Sequence, residues 1–138
     1  MKNMARVISV ILGLLLVSCQ KSRPPIDFGN QLCDHCKMTI SDPKFGAQWV
    51  TPTGKTYNYD AVECLVWHLE EEPMEGDAYV IAFDQPTNLI PATSATFLVA
   101  KDQPSPMGAF LSAYADKATA IAKAESLSGS WHTWDRLQ

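Results

Sequence analysis

Within six residues, Cys33-Asp34-His35-Cys36-Lys37-Met38, this chain gathers two thiols, an imidazole and a thioether. All are metal donors of soft or borderline character. Cys33 and Cys36 stand at i and i+3, a spacing that can turn both sulfurs toward one point. Zinc knuckles, redox pairs and copper sites all use it. Met38 tilts the balance, because a thioether is a weak donor to zinc and a good one to Cu(I). A second thioether, Met107, lies in the loop Ser105-Pro106-Met107-Gly108 rather than on a periodic apolar face, and loops held by a scaffold often carry a site. Either methionine can equally be packing material.

Cys64 and His68 pose a rival. They stand at i and i+4 on one face of an expected helix. With Cys33 and Cys36 they complete Cys-x2-Cys followed by Cys-x3-His, the donor set of a closed structural zinc site. Cys64 can also be a small buried hydrophobe, and His68, just before Glu70-Glu71-Glu72, a solvated residue near a helix end. His35 lies between the two cysteines and points elsewhere if they converge; otherwise it is a further exchange ligand. A thiol–disulfide enzyme would open a helix with its Cys-x2-Cys after a strand, whereas here the pair precedes the first strand. No serine elbow, glycine-rich phosphate loop or His-Glu-x-x-His pattern occurs. The acidic run Glu70–Glu72 with Glu75 reads as a solvated face. Binding rather than catalysis is expected.

The compartment decides what thiols can do. Lys2 and Arg6 precede an apolar run, Val7 to Val17, too short to span a bilayer as an ordinary anchor and suited to the core of an export signal. It ends in Leu15-Leu16-Val17-Ser18-Cys19, which resembles the cleavage box of bacterial lipoproteins, with Cys19 as the lipidated first residue of the mature chain. The expected location is the periplasm, lipid-anchored. Gln20 in place of aspartate favours the outer membrane over the inner. Modification of Cys19 leaves Cys33, Cys36 and Cys64, an odd number that argues against a pure disulfide framework. Cleavage also removes Lys2 and Arg6, moving the net charge from −4 to about −6. With no basic tract, nucleic acid is not an expected partner.

The remaining length suits one compact domain or two very small units. The chain divides into a signal peptide (1–18), a tether after the lipidated cysteine (19–30) and two units, 31–86 and 87–138. In the first, Phe45–Val50 and Thr56–Tyr59 read as strands about a Pro52-Thr53-Gly54-Lys55 turn. Asp60 and Glu63 match a capping box for a helix over Ala61–Glu71, Pro73 stops it, and the apolar run Ala78–Phe83 reads as a covered strand. In the second, Leu89-Ile90 and Ala95–Ala100 are strand candidates. Asp116 caps a helix over Lys117–Leu127, Ser128-Gly129 ends it, and Trp131–Trp134 reads as a closing strand. The class is α+β, with two small related strand-strand-helix-strand units.

Taken together, the lipoprotein box at Cys19, the segment Cys33–Ile40 (CDHCKMTI), the aromatic-Asp-helix element Tyr59–Leu69 with Cys64, and the Ser105–Gly108 loop followed by Phe110 and the helix beyond Asp116 resemble the NosL family. These are periplasmic Cu(I)-binding accessory lipoproteins of nitrous-oxide reductase assembly. The resemblance covers essentially all of the mature chain. It implies a NosL/MerB-like fold and a copper chaperone that passes Cu(I) by ligand exchange toward nitrous-oxide reductase, by way of a membrane transporter complex. The family's Cys-x2-Cys-x-Met segment falls on Cys33, Cys36 and Met38, and its later loop methionine on Met107. The implied donors are Cys36, Met38 and Met107, with Cys33 a fourth candidate. One departure is Lys37, where the family often has glycine. The alternative is a zinc-held interaction module using Cys33, Cys36, Cys64 and His68.

Overall fold

Pro52-Thr53-Gly54-Lys55 turns the chain back on itself. The strands on either side, β1 (Ala47–Val50) and β2 (Thr56–Tyr59), pair antiparallel in the register Ala47↔Tyr59 to Val50↔Thr56. The structure is a computed structural model that describes residues 23–138; the expected signal peptide and lipidated Cys19 lie outside the described residues. Helix α1 (Val62–Glu71) follows β2, burying Val62, Glu63, Cys64 and Leu65 in its first turn. Strand β3 (Asp77–Ala82) then pairs antiparallel with β1, so that β1 lies between β2 and β3.

Strand β4 (Gln85–Pro91) folds back on β3, with Val80 opposite Ile90. Leu89-Ile90, expected to open the second unit, thus pairs with the strand before it. The later hairpin is made by β5 (Thr96–Val99) and β6 (Leu111–Tyr114), followed by α2 (Lys117–Ser126) and β7 (Ser130–His132). Strand β6 escaped the sequence reading because Leu-Ser-Ala-Tyr is short and follows a Pro-Gly loop; its partner β5 is what makes it a strand. Here β5 lies between β6 and β7. One parallel bridge, Ala82↔Ala113, joins β3 to β6 and makes a single sheet in the order β2-β1-β3-β6-β5-β7. Trp134, expected in the closing strand, instead begins a 3-10 turn and is buried with its ring 5.8 Å from that of Phe97.

The two-residue period of β5 sorts the core. Phe97 and Val99 face the main cluster, with Leu65, Val62, Tyr59, Leu111 and Trp134, while Leu98 and Ala100 face a smaller one with Ala120 and Ala124 of α2. The helices therefore cover opposite faces of the sheet. Residues left to the tether by sequence are packed from Pro24 onward: the carbonyl of Pro24 accepts from Gln48 Nε2 at 3.0 Å, and Ile26 is buried. Among the described residues no helix is long and apolar enough to cross a membrane.

Helix α2 starts as its sequence suggests, with Asp116 accepting from the Thr119 N–H at 2.7 Å. Its end is less obvious. The Gly129 N–H reaches the Ala124 carbonyl at 2.8 Å and the Ser128 N–H the Glu125 carbonyl at 3.4 Å, the two bonds of a Schellman motif. The left-handed position is Ser128 (φ 50), not the glycine. Gly129 is required for space, because a Cβ there would lie 2.5 Å from the Val99 carbonyl oxygen. Ser128→Gly should therefore stabilise the protein by about 0.5–1 kcal/mol, whereas Gly129→Ala should destabilise it by about 1–3 kcal/mol. Urea unfolding of the two variants measures both signs.

Candidate metal centre

The cysteine segment is a four-residue hairpin loop. The Cys33 N–H donates to the Met38 carbonyl at 2.8 Å, the Lys37 N–H to the Cys33 carbonyl at 3.1 Å, and Leu32 bridges Thr39. Closing this loop puts Lys37 at φ 64, in the left-handed region that favours glycine. Lys37 Nζ reaches back to the Asp34 carbonyl. The loop is bound to β2 on both sides of Asp34: its N–H donates to the Asn58 carbonyl at 2.8 Å, and its carboxylate accepts the Asn58 N–H at 2.7 Å. That docking sets the loop beside the start of α1.

Three sulfurs meet there. The Sγ atoms of Cys33, Cys36 and Cys64 lie within 4.8 Å of one another. Cys33 and Cys64 are fully buried and Cys36 half-buried. The side-chain contact with Cys64 holds the Cys33 thiol below the usual thiol range despite its burial. Backbone N–H groups of Asp60, Cys36 and His35 add to it. Cys64 is pushed up by the same contact and by burial. Cys36 is pushed up chiefly by burial. The trio offers three sulfur donors in one place, a set suited to a soft cation.

Among the described residues no imidazole or carboxylate joins the three cysteines. His68 is engaged elsewhere. The Tyr59 hydroxyl is hydrogen-bonded to His68 Nδ1 at 2.9 Å, and His68 Nε2 lies 3.7 Å from Glu72. The set Cys33, Cys36, Cys64 and His68 is therefore not assembled as a closed site. His35 turns away from the thiols to the outer end of α1, its Nε2 3.3 Å from Glu71 and its ring between those of Trp67 and His68. Met38 is 53% exposed and Leu32 57% exposed. Met107 is half-buried and packs on the same core cluster as Cys36.

Glu63 escaped the sequence reading as a site residue. The expected capping box does not form: Ala61 is the N-cap and makes no side-chain cap bond, while the Asp60 carboxylate accepts from the Ser41 N–H at 3.2 Å. Glu63 is buried and accepts the Ser105 hydroxyl, fastening the loop that carries Met107 to the helix residue next to Cys64. The one available signal was a glutamate set among Val62, Cys64 and Leu65, where an apolar residue would be ordinary.

A family model described as NosL matches residues 26–138. No curated protein matches the chain. Among solved structures, the crystal structure of the copper chaperone NosL from Shewanella denitrificans superposes with a TM-score of 0.72 at 24% identity, covering 83% of this chain and 94% of that one. At that identity the likeness is one of fold.

Replacing Lys37 by glycine should relieve its left-handed backbone and stabilise the protein by about 1 kcal/mol, read as a raised urea midpoint. Glu63 gives a pH signature. Burial raises its carboxyl above the ordinary value of 4.5, with the Ser105 hydroxyl opposing. A raised folded value favours the protonated form, so its stabilising contribution is complete below the ordinary value and is lost as pH rises through the raised one. Glu63→Gln keeps an acceptor for Ser105 and removes the ionisation. Its stability advantage over the natural protein should widen between about pH 4 and pH 8, as measured by thermal unfolding across that range.

Proposed function

Because this chain belongs to the NosL family, we propose that it is a periplasmic, lipid-anchored Cu(I) chaperone that supplies copper for maturation of nitrous-oxide reductase. As a member of a family of non-catalytic chaperones, it carries no reaction of its own. The observation that carries the copper reading is the gathering of three thiol sulfurs within 4.8 Å, beside a loop whose next donor is a solvent-facing thioether. Thiolate with thioether is the donor set that selects Cu(I) over harder ions. The metal is cargo. Cys36, Met38 and Met107 are the donors proposed for it, with Cys33 a fourth that holds the loop or takes part in transfer.

Delivery is ligand exchange. Cu(I) accepts two, three or four soft ligands, so a partner's sulfur or imidazole can add before one of the chain's own donors leaves. Met38 suits that step because it is the exposed thioether of the segment, and the exposed Leu32 of the same hairpin offers an incoming protein apolar surface. The acidic chain favours approach of a basic face, whether on the membrane transporter complex or on the reductase. The two strand-strand-helix-strand arrangements, each with its first strand in the middle, are read as related units. Their shared sheet leaves the metal loop at one end, near the segment leading to the expected anchor.

Anaerobic titration with competing Cu(I) and Zn(II) chelators should show about one Cu(I) held per chain, in preference to Zn(II). The Cys36→Ala, Met38→Leu double variant should lose that binding by about 100-fold or more in affinity. X-ray absorption should show a sulfur-only first shell. A copper shell without sulfur would overturn the donor assignment. Co-purified zinc whose removal unfolds the protein would favour the structural-zinc reading instead.

A further inference from the structure

We propose that Cys64 is a copper donor, and that Cys33, Cys36 and Cys64 form a buried holding site distinct from the outer Cys36–Met38–Met107 set, with Cys36 shared between them. The inference rests on the Cu(I) reading and adds a second position for the ion within one chain.

The geometry is close to what the metal needs. A metal–thiolate bond of about 2.3 Å places the three sulfurs of a planar three-coordinate site about 4.0 Å apart. The three Sγ atoms already lie within 4.8 Å of one another. Contraction by less than an ångström is within reach of side-chain rotation, and only Cys36 is on a part of the loop that water reaches. Cys33 and Cys64 are fully buried, so an ion bound to them is shielded from oxidants and from competing thiols.

The two positions differ in exposure, and that sets the direction of traffic. On the outer set the ion is held by Cys36 and two thioethers, one of them on the exposed Met38. Moving inward, it keeps the Cys36 bond, gains bonds to Cys33 and Cys64, and loses those to Met38 and Met107. Any proton that Cys33 or Cys64 carries leaves to water as its sulfur binds. Delivery reverses these steps, with the partner's donor replacing a thiolate once the ion has returned to the surface. Cu(I) stays Cu(I) throughout. Neutral thioethers hold it less firmly than thiolates, so the inner position retains and the outer one releases.

Two probes on the full chain test this. Cd(II) binds thiolates in preference to thioethers, and its charge-transfer absorption counts the thiolates attached. For the natural protein and for the Met38→Leu, Met107→Leu double variant the band should be equal; for Cys64→Ala it should fall by about one third, from three thiolates to two. Cu(I) release to a chromophoric chelator should be about tenfold faster in Cys64→Ala and about tenfold slower in the methionine double variant. A Cys64→Ala protein that matches the natural one in both readouts overturns the inner site and leaves the chaperone reading standing. A three-thiolate Cd(II) band in the natural protein is expected whether or not Cys64→Ala folds, and a two-thiolate band there overturns the proposal. Failure of the natural protein to take up Cu(I) overturns both readings.

Discussion

The paired hydrogen bonds between Asp34 and Asn58 are the contact on which the centre depends. They dock a short loop from the start of the fold onto β2, and β2 leads directly into α1. Together with the Ser41–Asp60 bond, they fix the position of Cys33 and Cys36, carried on a hairpin of four loop residues, relative to Cys64, which lies some thirty residues further on. A sulfur cluster needs its members within a few ångströms, and only a bond to the backbone of the neighbouring element sets a loop that closely. The register of β1 on β2 is itself supported from within, because buried Gln48 shares its amide between Asn58 and Pro24.

Several features of the fold are unfavourable taken singly. Lys37 holds a left-handed backbone, Glu63 is a carboxyl in an apolar layer, and three cysteine sulfurs crowd together with two of their residues fully buried. All three cluster around the same few residues of loop and helix, which is where sites concentrate strain. Each has a local compensation. Lys37 returns a bond to the Asp34 carbonyl, Glu63 takes the Ser105 hydroxyl, and Cys33 receives a thiol and several N–H groups. The rest of the core is ordinary apolar packing on the two faces of one sheet, and it is large enough to carry these local losses.

Exposure grades along the donors. Cys64 and Cys33 are sealed, Cys36 and Met107 half-buried, and Met38 open to solvent. Soft side chains at graded depth suit the proposed role of holding and surrendering an ion, since exchange requires that a partner reach at least one donor. The sequence contains the same donors with no indication of depth. Met38 and Met107 look alike as residues, yet one lies on a loop exterior and the other against the core.

The residues alone determined the elements whose signals are local: the hairpin about Pro52–Lys55, the helix stopped by Pro73, the Asp116 cap, and the donor types in the Cys33–Met38 segment. Such features follow from a few neighbouring side chains and the backbone they allow. Chain folding decided what depends on contacts far apart in sequence. Strand β6 became a strand through β5, β4 joined β3 rather than the second hairpin, and Asp60 and Glu63 left the helix cap for Ser41 and Ser105. The same is true of the centre. Cys64 could be read as core, zinc ligand or spare thiol until the docking of the loop brought it beside Cys33, while Tyr59 drew His68 away. Proximity between segments is set by sheet register and packing, and neither is encoded within the reach of a single motif.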